Sequence, residues 1–295
     1  MIKKYKFTLE KGSEKFICPK CKMKRFVKYI NQDNGDYLGD SIGRCDRETN
    51  CGYHFKPNQL INCEIINIEA TIKTTISSYH TDSELEILYN SNEENNFLLF
   101  LESLFDYNKI ERIKKIFKIS TSSFFHGSTV FWQIDEKNLI HAGKLIYYSK
   151  TTGRRYKTFE NTSPVSWIHK INKIKDFNLN QCLFGLHQLQ NINNLTQIIG
   201  IVESEKTAVI LTIMYPDYYW MATGGKQNFK ESMLKPIKDY QIVAYPDKGE
   251  FKDWVKKAKS LNQLGYKIEV NDWLETIDYD TGTDLADVIL ELKND

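Results

Sequence analysis

Nothing in this sequence of 295 residues approaches the run of about 18 uncharged apolar residues that a membrane-spanning helix needs. The basic start, MIKKYKFTLEKG, does not lead into the apolar stretch of a secretory signal. These two absences predict a soluble, cytoplasmic chain without a membrane partner. There is no G-x-x-x-x-G-K-[ST]: Gly224-Gly225-Lys226 lacks the first glycine and the Ser/Thr, so an NTP-driven motor has no phosphate cradle. The G-x-S-x-G elbow of serine hydrolases is missing too. The six histidines, at 54, 80, 126, 141, 169 and 187, show no pairing at metal-ligand spacing. Internal repeats are absent, and no low-complexity stretch exceeds NSNEENN.

Cysteine is scarce, six in all, but four of the six fall within 34 residues. In a chain without a secretion signal such clustering points to metal rather than disulfides. The turn Cys18-Pro-Lys-Cys21 puts two thiolates on one side of an ion, and Cys45 and Cys51, across a two-stranded ribbon, complete a tetrahedron. Five residues separate that second pair where two to four are usual, and His54 is an alternative to Cys51 as fourth ligand. Structural zinc is the expected ion. Cys63 and Cys182 read as ordinary buried cysteines. Around the cluster, Lys20, Lys22, Lys24, Arg25, Lys28, Arg44 and Arg47 are interleaved with Phe26, Tyr29 and Tyr53. Such a mix holds backbone phosphates and stacks unpaired bases, although Phe26 reads as core of the ribbon itself.

With 41% hydrophobic and 26% charged residues the chain is globular. Its net charge of +2 hides a segregation: residues 1–60 and 121–199 are basic, with 13 Lys+Arg against 7 Asp+Glu and 9 against 4. Residues 61–120 and 200–295 are acidic, 6 against 10 and 12 against 17. Basic blocks suit a phosphate backbone, and an acidic block suits divalent cations.

Four regions follow. Residues 1–60 are the zinc ribbon, with short strands from Arg25 to Ile30 and from Tyr37 to Gly43, closed by Pro57 and Asn58. Residues 61–120 are helical: Leu85, Leu88, Tyr89, Phe97, Leu101, Leu104, Phe105, Ile110, Ile113, Ile116 and Phe117 recur at three and four, which predicts two or three amphipathic helices over 82–118. Residues 121–195 are basic and mixed, with a meander of about three strands over 129–160. From 196 to 295 strands and helices alternate: IIGIV, EKTAVILTIM, YYWMA, FKESMLKPIK, QIVAY, KDWVKKAKSLNQLG, YKIEV and DLADVILELK. That alternation predicts an α/β unit with a parallel sheet flanked by helices.

In such a sheet ligands bind outside the carboxyl ends of the strands. Glu203, Asp247 and Asp272 each follow a strand, and Asp284 and Asp287 stand at i, i+3 on the last helix. Carboxylates brought together raise each other's pKa, and a hard cation such as Mg²⁺ removes the conflict. Taken singly, Glu203 and Glu205 also suit the first turn of a helix, and Asp247, beside Pro246 and near Gly249, also suits a turn. Glu205 reads as a dipole or supporting partner of Glu203.

IVESEKTAVI resembles the glutamate motif of Toprim (topoisomerase-primase) domains, and ATGG at 222–225 the glycine turn after the second Toprim strand. AYPDKGEFKDW resembles the aspartate motif after the third strand, and GTDLADVIL the later Asp-x-x-Asp segment. A zinc ribbon, a mixed basic region and then Toprim is the order of bacterial and phage primases. The whole chain is similar to small primase-like Toprim proteins of mobile elements, which share the run CLFGLHQL. The resemblance implies Glu203 as acid/base or metal-associated glutamate, Asp247 as the first aspartate of an Asp-x-Asp metal motif, and Asp284 and Asp287 as auxiliary acids for Mg²⁺ or Mn²⁺. Lys144, Arg154, Arg155 and Lys157, with Lys206, Arg44 and Arg47, lie where such enzymes hold template and nucleotide phosphates. The implied partners are single-stranded DNA, nucleoside triphosphates and a separate helicase. The implied activity is primer synthesis, with a Toprim nuclease or a catalytically weakened nucleic-acid-binding protein as alternatives. The second aspartate of Asp-x-Asp is Gly249 here, with Glu250 and Asp253 as stand-ins.

Overall fold

The computed structural model describes residues 6–10, 12, 14–32, 35–47, 50–57, 77–157, 165–192 and 194–294. Asn58, Cys63 and the expected end of the meander, 158–160, lie outside the described residues. The chain divides into two units, Met1–Thr74 and Thr75–Asp295.

In the first unit, β1 (Phe7–Leu9), β2 (Phe16–Ile17), β3 (Lys24–Asn31), β4 (Gly43–Cys45) and β5 (His54–Phe55) form one antiparallel sheet. The long β3 is the hub, pairing with β1, β2 and β4, and β4 pairs with β5. Alternation along β3 sends Phe26 into a small core with Cys18, Cys45 and Cys51, where it is fully buried, as expected. The expected strand from Tyr37 to Gly43 does not form. Only a single bridge joins Tyr37 to Ile30, because Gly39 takes a φ of +150° and breaks the extended run before β4 starts.

The second unit begins with α1 (Asp82–Tyr89), α2 (Asn96–Glu102) and α3 (Tyr107–Phe117), three helices over the predicted span. Thr81 and Glu84 close a capping box on α1, and Asn95 caps α2 by accepting from Phe97 and Leu98 N–H. An antiparallel sheet follows: β6 (Ser120–Ser122), β7 (Ser128–Ile134), β8 (Ile140–Ile146) and β9 (Val165–Trp167), in sequential order. β7 and β8 are buried along their whole length. Val130, Trp132 and Ile134 face a core shared with Leu85 and Ile168 of α4 (Ile168–Ile171). Phe131 and Ile146 face the main core with Phe97, Ile113 and Phe117. The third meander strand thus falls at Val165–Trp167, beyond the expected range.

The parallel sheet uses β10 (Ile198–Val202), β11 (Tyr219–Ala222), β12 (Gln241–Ala244) and β13 (Lys267–Val270), in the order β11-β10-β12-β13. Between them run α5 (Glu205–Met214), α6 (Glu231–Leu234) and α7 (Phe251–Asn262), followed by α8 (Trp273–Thr276) and α9 (Leu285–Asn294). The helix expected over 229–238 is shorter, because Pro236 has no N–H to give and the chain continues as a 3₁₀ turn. Gly200 lets the Trp220 ring lie across β10: a Cβ there would sit 2.4 Å from that ring. The chain leaves β10 for β11 on one side and returns to β12 on the other, so the topological switch point lies between the carboxyl ends of β10 and β12. No helix among the described residues is long and apolar enough to cross a membrane.

Candidate active site and zinc centre

The four thiols come first, because their geometry names an ion. A tetrahedral Zn–S bond of about 2.3 Å places ligand sulfurs about 3.8 Å apart. The Sγ atoms of Cys18 and Cys51 are 3.7 Å apart, those of Cys21 and Cys45 are 3.9 Å apart, and all four lie within 4.8 Å of one another. The irregular spacer is accommodated by a turn in which the Arg47 carbonyl accepts from the N–H groups of Asn50, Cys51 and Gly52. That turn brings Cys51 back to the cluster. His54 is not a ligand: its ring stacks on Tyr29 and its Nε2 lies 2.9 Å from the Tyr29 hydroxyl. The donor set fits structural zinc. Arg44 and Arg47 are both half-buried beside it.

In the second unit Glu203 follows β10 and Asp247 follows β12, at the two strand ends that flank the switch point. Burial pushes the Glu203 carboxyl up, opposed by a hydrogen bond from the Lys226 N–H and reinforced by the charge of Glu250. Asp247 is pushed up to about 8, first by burial and then by the charges of Asp284 and Glu203, against the pull of Lys206 and Arg155. Asp247 therefore senses both Glu203 and Asp284, while Glu203 senses Glu250. Among the described residues, the cysteines are the one group of three or more Cys, His, Asp or Glu whose ligand atoms lie within 4.8 Å of one another.

Asp284 and Asp287 have a protein partner. Lys206, 8% exposed on α5, places its ammonium 2.6 Å from Asp287 and 3.4 Å from Asp284. Burial works against that charge, but the two aspartates outweigh it and hold the ammonium's pKa above its ordinary value. Asp284 lies just before α9 rather than on its face, where it accepts from the Asp287 N–H at 2.9 Å. Asp272 is exposed at the far edge of the sheet. Arg154, Arg155 and Lys157 are exposed.

Lys144 is placed otherwise than a phosphate-binding role would suggest. It lies opposite Phe131 on β8, 7% exposed, with its ammonium 2.9 and 3.1 Å from the two oxygens of Glu205 and 2.8 Å from the Gly224 carbonyl. Glu205 is fully buried. The pair ties the antiparallel sheet to the glycine turn, and that turn in turn donates Gly224 N–H to the Glu203 carbonyl at 2.9 Å. Lys144→Met strands a buried carboxylate and is expected to cost about 3 kcal/mol in urea unfolding. Lys144→Met combined with Glu205→Leu is expected to recover much of that loss; no recovery would refute the pairing.

Gly249 has φ +90°, and a Cβ on it would lie 2.8 Å from Thr281 Cγ2. Its N–H donates to Glu275 Oε1 at 2.6 Å. At the place where the Asp-x-Asp motif has its second aspartate, a side chain would therefore meet a strained backbone and have to displace the Thr281 methyl. Glu250, one of the two stand-ins, pairs with Lys226, and Asp253, the other, with Lys257. Gly249→Asp is expected to destabilise by about 2 kcal/mol, read as a lower urea midpoint; an unchanged midpoint would contradict that strain.

A family model for a zinc β-ribbon finger matches residues 5–65. Among solved structures the chain is similar to the primase fragment of the bacteriophage T7 primase-helicase protein, with 12% identity over 97% of each chain and a TM-score of 0.41. It is also similar to a DnaG primase catalytic domain bound to ssDNA, with 12% identity over 71% of this chain and 75% of that one and a TM-score of 0.43. For the zinc-binding and RNA polymerase domains of the Aquifex aeolicus primase the identity is 14%, over 96% of this chain and 77% of that one, with a TM-score of 0.39. No curated protein matches the chain. Residues 95–248, more than half of the chain, match the model of the domain of unknown function DUF6371, and the chain belongs to that family.

Proposed function

We propose that the protein is a primase-like Toprim nucleotidyltransferase that binds single-stranded DNA and joins ribonucleoside triphosphates into short primers. The observation that carries this reading is the pair of acids at the switch point, with the Asp247 carboxyl pushed up to about 8 by burial and by the charges of Asp284 and Glu203. Two partly buried carboxylates in charge conflict on a rigid sheet suit a hard divalent cation that keeps waters and takes substrate phosphates. Glu203 and Asp247 would hold Mg²⁺ or Mn²⁺, and the chemistry the ion supplies when bound is neutralisation of triphosphate charge and acidification of the 3′-hydroxyl.

The other residues divide the remaining work. Asp284 and Asp287 fix Lys206, whose charge, with that of Arg155, lowers the pKa of Asp247. Arg154, Arg155 and Lys157 suit phosphates of template or nucleotide, and Arg44 and Arg47 those of a strand on the ribbon. Lys144 supports the glycine turn through Glu205 instead of meeting substrate. Without a P-loop, strand opening falls to a separate helicase.

The test is incorporation of labelled ribonucleotide on single-stranded DNA, which must be lost in Glu203→Gln and Asp247→Asn. Activity unchanged in both variants overturns the reading, and cleavage of the strand with Mg²⁺ and no nucleotide identifies a nuclease instead. Gly249, which offers no carboxylate and sits at a φ of +90°, favours a second reading, a nucleic-acid-binding protein with weakened catalysis. Salt-sensitive DNA binding without synthesis or cleavage is its signature.

A further inference from the structure

Helix α7 leaves the loop that carries Asp247 and presents one face away from the protein. Trp254, Ala258 and Leu261 bury its inner side. Opposite them stand Lys252, Lys256 and Lys259, at i, i+4 and i+7, all exposed. A solvated helix gains by alternating acids with its lysines. On α7 the only acid is Asp253, and it is engaged with Lys257 at 2.7 Å.

The surroundings add to this charge. Residues 226–267 hold ten lysines and five acids. Of those acids Asp247 lies in the candidate site, Glu250 is paired with Lys226 and Asp253 with Lys257. Beside the helix runs a groove of about 390 Å³ in which Lys230 joins Lys256 and Lys257, with two acids, Glu231 and Asp253, the second of them engaged by Lys257. Three lysines against two acids thus line a concave surface next to the stripe.

Like charges kept together repel, and a polyanion relieves them while releasing its own counterions. At 1.5 Å per residue the stripe is about 10 Å long, enough to follow several phosphates. We infer that the outer face of α7, with Lys230 across the groove, is a docking track for the phosphodiester backbone of single-stranded nucleic acid, leading away from the acid-bearing loop. This surface is independent of nucleotidyl transfer, so its test reads affinity alone.

The zinc-loaded full chain is titrated with a fluorescein-labelled, mixed-sequence single-stranded oligonucleotide across a salt series. In the Lys252→Gln, Lys256→Gln, Lys259→Gln triple variant, the slope of log K against log salt is expected to shrink by about 2, since each lysine–phosphate contact on a single strand contributes about 0.7. The low-salt affinity is expected to fall at least tenfold. The corresponding triple arginine variant is expected to restore both. Circular dichroism unchanged from wild type shows that the exposed substitutions leave the fold intact. An unchanged slope in the glutamine variant, or a wild-type chain that shows no salt-dependent binding, overturns the inference.

Discussion

Asp247→Asn and Glu203→Gln are each expected to lower ribonucleotide incorporation by about 10³-fold or more, equivalent to about 4 kcal/mol of transition-state stabilisation. Asp247→Asn is expected at the same time to make the metal-free protein more stable at neutral pH. In the folded chain the Asp247 carboxyl sits at about 8, above its ordinary 3.8. Between those values the native state holds a proton that the unfolded state has lost, so this residue's contribution to stability falls as pH rises from about 4 and levels off above about 8. The penalty at pH 7 is on the order of 2 kcal/mol once its partial contact with solvent is allowed for. Asn carries no such penalty, and its stability should lack that slope. Mg²⁺ is expected to raise the melting temperature of the wild type, through binding to the native state alone, and to leave Asp247→Asn unmoved. Equal melting temperatures for the two proteins across pH 4–8 would count against the charge conflict, and equal incorporation would count against the catalytic role.

Removing zinc should unfold the ribbon and leave the second unit standing. Among the described residues of the first unit, the buried cluster is Phe26 with three cysteines, and Val27 and Ile42 are the other buried apolar side chains. Structural zinc in small modules contributes about 10–16 kcal/mol of apparent binding energy, which becomes folding energy where no site pre-exists. Cys18→Ser is expected to release the metal and to abolish hydrogen-exchange protection along β3. Amides of β7 and β10, in the other unit, are expected to keep theirs. Persisting protection of β3 in the zinc-free chain would refute this dependence.

Local pattern carried most of what could be read without coordinates. The cysteine spacing gave the ligand set, and the irregular gap before Cys51 needed only a turn on the Arg47 carbonyl. Strand-helix alternation placed Glu203 and Asp247 at strand ends, and the sheet order makes those two strands neighbours. What stayed hidden depends on partners far apart in the chain or on backbone angles. Lys144 and Glu205 are 61 residues apart, and a basic residue in a basic block reads as a surface residue until β8 is seen to be buried on both faces. Lys206, expected among the phosphate-holding residues, is instead engaged by Asp284 and Asp287, which the end of the chain brings to it. Gly249 could be seen to replace an aspartate, but its φ of +90° and the nearness of Thr281 arise from the fold of the following loop.

β10 is the first strand of its sheet to be synthesised, yet it lies between two strands that come later. When Val202 has been added, neither β11 nor β12 exists, and β12 is complete only at Ala244. At translation rates of about 5–20 residues per second, that leaves β10 without both neighbours for roughly 2 to 8 seconds. The ribbon's four cysteines have all been made long before. A nascent chain can therefore carry a finished zinc ribbon and no acidic site, with both edges of β10 open to a chaperone or to the same strand of another copy.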